Sequence, residues 1–156
     1  MTDTTSLNCQ CQCGNVQYTA SAMPMFRILC HCSICRQFNG GAPFADVLTF
    51  RNADIIRPSD GTVNFQTYRP PPNVQRGQCA ACHAPAIEVF EAPLFPKLIM
   101  VPSSVVQDSA ALPEPVGHMF YDSRVADVTD SLPKWSGYFR SQLGFGRYLL
   151  ASMLRR

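Results

Sequence analysis

The chain has 156 residues, 46% of them hydrophobic and 15% charged, enough to bury the core of one domain without disulfides or metal to make up for small size. A formal charge of +2 and a pI near 8.1, with no basic run and no aromatic-basic stripe, argue against nucleic acid as a partner. No apolar stretch approaches the ~18 residues of a membrane span, so no span is expected.

The chain opens on the polar segment MTDTTSLN, which lacks the cationic start and apolar run of a secretory signal, so the expected location is cytoplasmic. Thiols stay reduced there, and eight cysteines read as metal ligands or free thiols before they read as bridges. Cys9, Cys11 and Cys13 come first, in NCQCQCG. Alternating polarity then predicts half-buried strands at 16–20 and 25–29, the second leading into Cys30, Cys32 and Cys35 of CHCSIC. Further strands are predicted at 43–50, 62–68, 86–90, 97–101 and 116–121. Ser59, Asp60 and Gly61 supply turn chemistry before the second of these. Arg69, Pro70, Pro71 and Pro72 cannot continue a central strand, since proline lacks the N–H a ladder needs; they read as a loop ahead of Cys79 and Cys82 in CAAC. Helix is expected only at the end, as a short amphipathic helix from about residue 146, where Tyr148, Leu150 and Leu154 mix with Arg147, Arg155 and Arg156. It is expected to dock on the domain or to form a homodimer with a second subunit; a membrane-surface role is the alternative. With no internal repeat and no long linker, the chain reads as a mainly β, single zinc-binding domain over 1–156, with its core at about 8–137 and an extension at 138–156.

In extended backbone, residues two apart face the same way, so Cys11 and Cys13 can share a metal, as can Cys30 and Cys32. The C-x-x-C pairs Cys32/Cys35 and Cys79/Cys82 have the turn spacing that closes paired thiolates on a tetrahedral ion. C-x-C with C-x-x-C supplies four thiolates, a closed structural zinc site. C-H-C-x-x-C supplies three, which leaves a position for water or substrate, the arrangement of a catalytic zinc. Cys9, His31 or His83 could fill that position and close the site. A redox C-x-x-C pair and an iron-sulfur cluster remain as other readings of the same cysteines.

The order Cys11-Gln12-Cys13-Gly14, Cys30-His31-Cys32-Ser33-Ile34-Cys35-Arg36, Gly41-Ala42-Pro43-Phe44, Cys79-Ala80-Ala81-Cys82, His118-Met119-Phe120 and Leu132-Pro133-Lys134-Trp135 resembles the glutathione-dependent formaldehyde-activating family, which includes centromere protein V-like proteins. The resemblance implies a β-tent of small antiparallel sheets pinned by two zinc ions. It implies that Cys11, Cys13, Cys79 and Cys82 hold a structural zinc and that Cys30, Cys32 and Cys35 hold a catalytic one. The implied activity is addition of glutathione to formaldehyde, formally a carbon-sulfur lyase run in reverse. Gln78 and His83 depart from the family pattern around the second C-x-x-C, where an aromatic residue and glycine are usual.

A zinc held by three sulfurs suits a sulfur ligand, so the expected substrate is a small-molecule thiol joined to a carbonyl compound. Attack of the thiolate on an aldehyde leaves an alkoxide that needs a proton, and His31, Asp46 and His118 are the candidate acids. Two alternatives follow from the same residues: a zinc-dependent lyase or isomerase for a non-glutathione carbonyl metabolite, and a non-catalytic zinc-stabilised binding module.

Overall fold

The computed structural model describes residues 6–70 and 73–155. Residues 1–5 of the opening segment, Pro71 and Pro72 of the proline loop, and Arg156 lie outside the described residues. In chain order the elements are β1 (Leu7–Gln10), β2 (Gln17–Ala20), β3 (Phe26–Cys30), α1 (Ser33–Phe38), β4 (Ala45–Arg51), β5 (Ile55–Ile56), β6 (Val63–Gln66), β7 (Val74–Cys79), β8 (Pro85–Phe90), β9 (Leu98–Pro102), β10 (Pro115–Met119) and α2 (Tyr138–Leu154). Among the described residues the strands form two sheets, so the chain is mainly β with a C-terminal helix, in keeping with a β-tent. Among the described residues no helix is long and apolar enough to cross a membrane. Each strand expected from alternation is present, shifted by a few residues at its ends. β1, β5 and β7 are additional, because a cysteine-rich segment, a two-residue strand and the polar run VQRGQC carry little apolar alternation.

By internal contacts the chain divides into two compact units, Met1–Pro24 with Leu48–Leu112, and Met25–Val47 with Pro113–Arg156. In the first, β1, β2 and β5 form an antiparallel sheet in which Leu7 faces Ala20 and Ala20 faces Ile55. β6, β7, β8 and β9 run antiparallel in sequence order, with Val63 opposite Cys79 and Val89 opposite both Gln75 and Ile99. Val16, Leu48, Phe50, Ile87, Ile99 and Val101 are fully buried in this unit, each contributing roughly 1.5–3 kcal/mol through its burial. Two polar contacts lie within that core: Tyr18 donates to the Ala86 carbonyl at 2.6 Å, and Arg76 pairs with Glu88.

In the second unit β10 runs parallel to β3, with His118 opposite Leu29 and Met119 opposite Cys30. This parallel pair departs from the all-antiparallel expectation; its strands are joined by a long excursion of chain, which a parallel crossover requires. α1 was not expected, since six residues are too few to show an apolar period. α2 begins at Tyr138 and not near residue 146. Glycine in its sequence reads as a helix breaker, but Gly144 has a packing reason: a Cβ there would lie 2.5 Å from Trp135 Cδ2. A Cβ on Gly117 of β10 would lie 2.7 Å from Cη2 of the same indole, so Trp135 is gripped between β10 and α2. The helix docks by its small side. Ser141, Gly144 and Ser152 are buried while Phe139, Leu143, Leu150 and Leu154 stay exposed. Ser141 Oγ accepts from the Phe120 N–H at 2.8 Å, and Ser152 Oγ donates to the Met25 carbonyl at 3.2 Å.

Candidate metal centres and a buried histidine pair

Cys11 and Cys13 follow β1, while Cys79 ends β7 and Cys82 closes the turn beyond it. Their four sulfurs lie within 4.8 Å of one another. Cys11 and Cys13 Sγ are 3.5 Å apart and Cys13 and Cys79 Sγ 3.6 Å. Two sulfurs on a tetrahedral zinc, each at about 2.3 Å, would be about 3.8 Å apart, so the spacing fits that ion. N–H groups point at the sulfurs: Val16 at Cys11 (3.3 Å), and Ala81 and Cys82 at Cys79 (3.4 Å each). Burial raises the Cys79 thiol, but the Cys82 and Ala81 amides outweigh it and hold it at about 6. For Cys13 the Asn15 amide pulls down, yet the sulfurs of Cys11 and Cys82 push it up to about 12. Four thiolates this close repel one another, and a soft divalent cation offsets that repulsion. The turn places His83 at φ 61, a left-handed conformation that glycine adopts without strain.

Cys30 ends β3, Cys32 caps the N-terminus of α1, and Cys35 sits in its first turn with its N–H 3.3 Å from Cys32 Sγ. These three sulfurs also lie within 4.8 Å of one another. The neighbouring Cys32 sulfur drives the Cys30 thiol up to about 12, and Cys30 and Cys32 together hold Cys35 well above the usual thiol range. The cluster fits the same kind of ion. Among the described residues no further cysteine, histidine or carboxylate joins either group. Cys9 is a buried thiol, pushed up to about 11 by desolvation, and stands apart from both, as do His31 and His83.

Of the three candidate acids, the structure brings two together. His31 and His118 are 1% and 0% exposed, and His31 Nε2 lies 2.9 Å from His118 Nδ1. Phe44 and Tyr121 pack on the His31 ring at 5.3 and 5.2 Å. Burial first, then the nearby His118, holds His31 down to about 4. Asp46 is elsewhere engaged: Arg27 binds both its oxygens, at 2.7 and 2.6 Å. The carboxylate on the pair is Asp130, whose Oδ2 is 2.8 Å from His118 Nε2. Sequence reasoning missed it, although it lies just ahead of the Leu132-Pro133-Lys134-Trp135 motif. That motif runs beside β10, with the His118 N–H bonded to the Pro133 carbonyl and the Trp135 N–H to the His118 carbonyl, each at 2.8 Å. Asp130 is thereby carried to the ring.

The sequence model of the glutathione-dependent formaldehyde-activating enzyme family matches residues 6–123. A solved crystal structure of a protein from Rhodobacter sphaeroides is similar with a TM-score of 0.51 and 18% identity, covering 65% of this chain and 88% of that one, a likeness of fold. No curated protein matches the chain. Asp130, Lys134 and α2 lie beyond the residues that the family model covers.

Proposed function

The chain belongs to the glutathione-dependent formaldehyde-activating enzyme family, and on that footing we propose that it is a zinc-dependent carbon-sulfur lyase that adds a thiol to an aldehyde or reverses that addition. The observation that carries the reading is the division of sulfurs into four and three. Cys11, Cys13, Cys79 and Cys82 would hold a structural zinc, and Cys30, Cys32 and Cys35 a second one. Three cysteines would leave room on such an ion for a substrate thiol, and the chemistry it would supply is a lowered thiol pKa.

The other residues then have defined work. As the C–S bond forms, the carbonyl π pair moves to oxygen, and the proton that leaves the thiol ends on that oxygen. The addition balances without oxidant or further reactant. The His31–His118 pair handles this proton, and Phe44 and Tyr121 shield the His31 ring from water. Asp46 takes no part, because Arg27 occupies both its oxygens. We place the protein in the cytoplasm, where its thiols stay reduced, acting on small molecules. The exposed Phe139, Leu143, Leu150 and Leu154 of α2 are the surface by which it would form a homodimer.

The test is zinc-loaded protein mixed with glutathione and formaldehyde, with adduct formation followed by NMR. The reading expects acceleration over the uncatalysed reaction, lost in Cys32→Ser. If the loaded protein accelerates neither this reaction nor that of other small thiols and aldehydes, the lyase reading fails and a zinc-pinned binding module remains.

A further inference from the structure

Four groups stand in series in the second unit. Lys134 Nζ is 2.6 Å from Asp130 Oδ1, Asp130 Oδ2 is 2.8 Å from His118 Nε2, and His118 Nδ1 is 2.9 Å from His31 Nε2. Lys134 also donates to the Asp130 carbonyl at 2.9 Å and to the Leu132 carbonyl at 3.2 Å, and the Leu132 N–H donates to Asp130 Oδ1 at 3.2 Å. The carboxylate is thus fixed in place by neighbours of its own loop. It is also kept ionised: Lys134 first and His118 second hold it down to about 2.

An ionised carboxylate only accepts hydrogen bonds, so the proton between Asp130 and His118 sits on His118 Nε2. A neutral imidazole has one N–H, so His118 Nδ1 is then an acceptor. The hydrogen bond between the rings must therefore be donated by His31 Nε2, which leaves His31 Nδ1 with a lone pair. Lys134 Nζ already pairs with the Asp130 carboxylate, and the His118 ring beside it is fully buried. Both His118 nitrogens have partners at bonding distance, and flipping the ring would lose both bonds.

We propose that Asp130, clamped by Lys134, is a positioning residue that sets the tautomer of His31 two rings away and so keeps the lone pair on His31 Nδ1. The proposal rests on the reading that this pair handles the proton of the thiol addition. His31 lies between Cys30 and Cys32 in the chain, so its one unprotonated nitrogen is carried by the same segment as the three-sulfur cluster. Asp130 touches no reacting atom; it acts through His118. A carboxylate that orients a histidine through the far ring nitrogen is a general device for fixing which nitrogen can accept a proton.

The test is ¹⁵N NMR of the histidine rings in zinc-loaded wild type, Asp130→Asn and Asp130→Glu, with kcat and KM measured on the same samples. The wild type should show both rings protonated at Nε2 and bare at Nδ1. Asp130→Asn, which is isosteric and at a partly exposed site, should mix the His31 tautomers and lower kcat about 10- to 100-fold, with KM changing far less. Asp130→Glu should restore part of both. A wild-type His31 protonated at Nδ1, or an Asp130→Asn protein with unaltered tautomers, would overturn the proposal. The tautomer readout needs no substrate, so wild type inactive toward thiol and aldehyde would refute the lyase reading and leave the NMR result to decide on Asp130 alone.

Discussion

Cys13 Sγ and Cys79 Sγ lie 3.6 Å apart although 66 residues of chain separate them. A cation shared by such a pair closes a long loop, so its loss is felt by the whole first unit, whereas Cys30, Cys32 and Cys35 are neighbours in sequence. Cys79→Ser is therefore expected to unfold the protein, with a loss on the order of 10 kcal/mol, while Cys32→Ser keeps the fold and loses activity. Thermal unfolding together with zinc content per chain checks this; equal destabilisation by both changes would contradict the division into structural and catalytic ions.

Gly144→Ala and Gly146→Ala, two residues apart on α2, should have opposite effects. The new methyl at 144 would meet the Trp135 ring at 2.5 Å, and Gly117 grips that ring from β10, so it cannot retreat. Overpacking here is expected to cost about 1–3 kcal/mol. A Cβ at 146 meets nothing within 4 Å, so alanine should stabilise the helix by about 0.5–1 kcal/mol. Urea unfolding midpoints decide; a stabilised Gly144→Ala protein would show that the indole moves freely.

His83→Gly should raise stability by up to about 1 kcal/mol, because His83 holds φ 61 where glycine is unstrained. Since His83 joins neither sulfur group, zinc content should be unchanged. A drop of one ion per chain would identify His83 as a ligand and overturn that placement.

Arg76 and Glu88 form a buried ion pair in the first unit. Arg76→Met should cost about 3–5 kcal/mol by leaving a buried carboxylate without its cation, and adding Glu88→Leu should recover most of it. A double-mutant cycle on unfolding free energies measures the coupling. Additive losses would mean that the pair contributes little beyond packing.

Much of this protein follows from local pattern. The four-plus-three grouping of cysteines was legible because C-x-C and C-x-x-C spacing encodes how nearby thiols converge, and most strands were legible because alternation of polarity is local. The C-terminal helix was legible as a helix but not in its start or its docking side. Those depend on a distant indole, Trp135, that needs Gly144 and not a large side chain beneath it. The same holds at the site. In the sequence His31, Asp46 and His118 are three separate candidate acids, with nothing to pair any two of them. Only the parallel pairing of β10 with β3 sets the two rings 2.9 Å apart, and only the chain segment beside β10 brings Asp130 to His118. Local spacing carries the ligand sets because short chain segments have few conformations. The partner of a side chain 87 residues away is decided by which strands become neighbours, and that choice belongs to the packing of the whole unit.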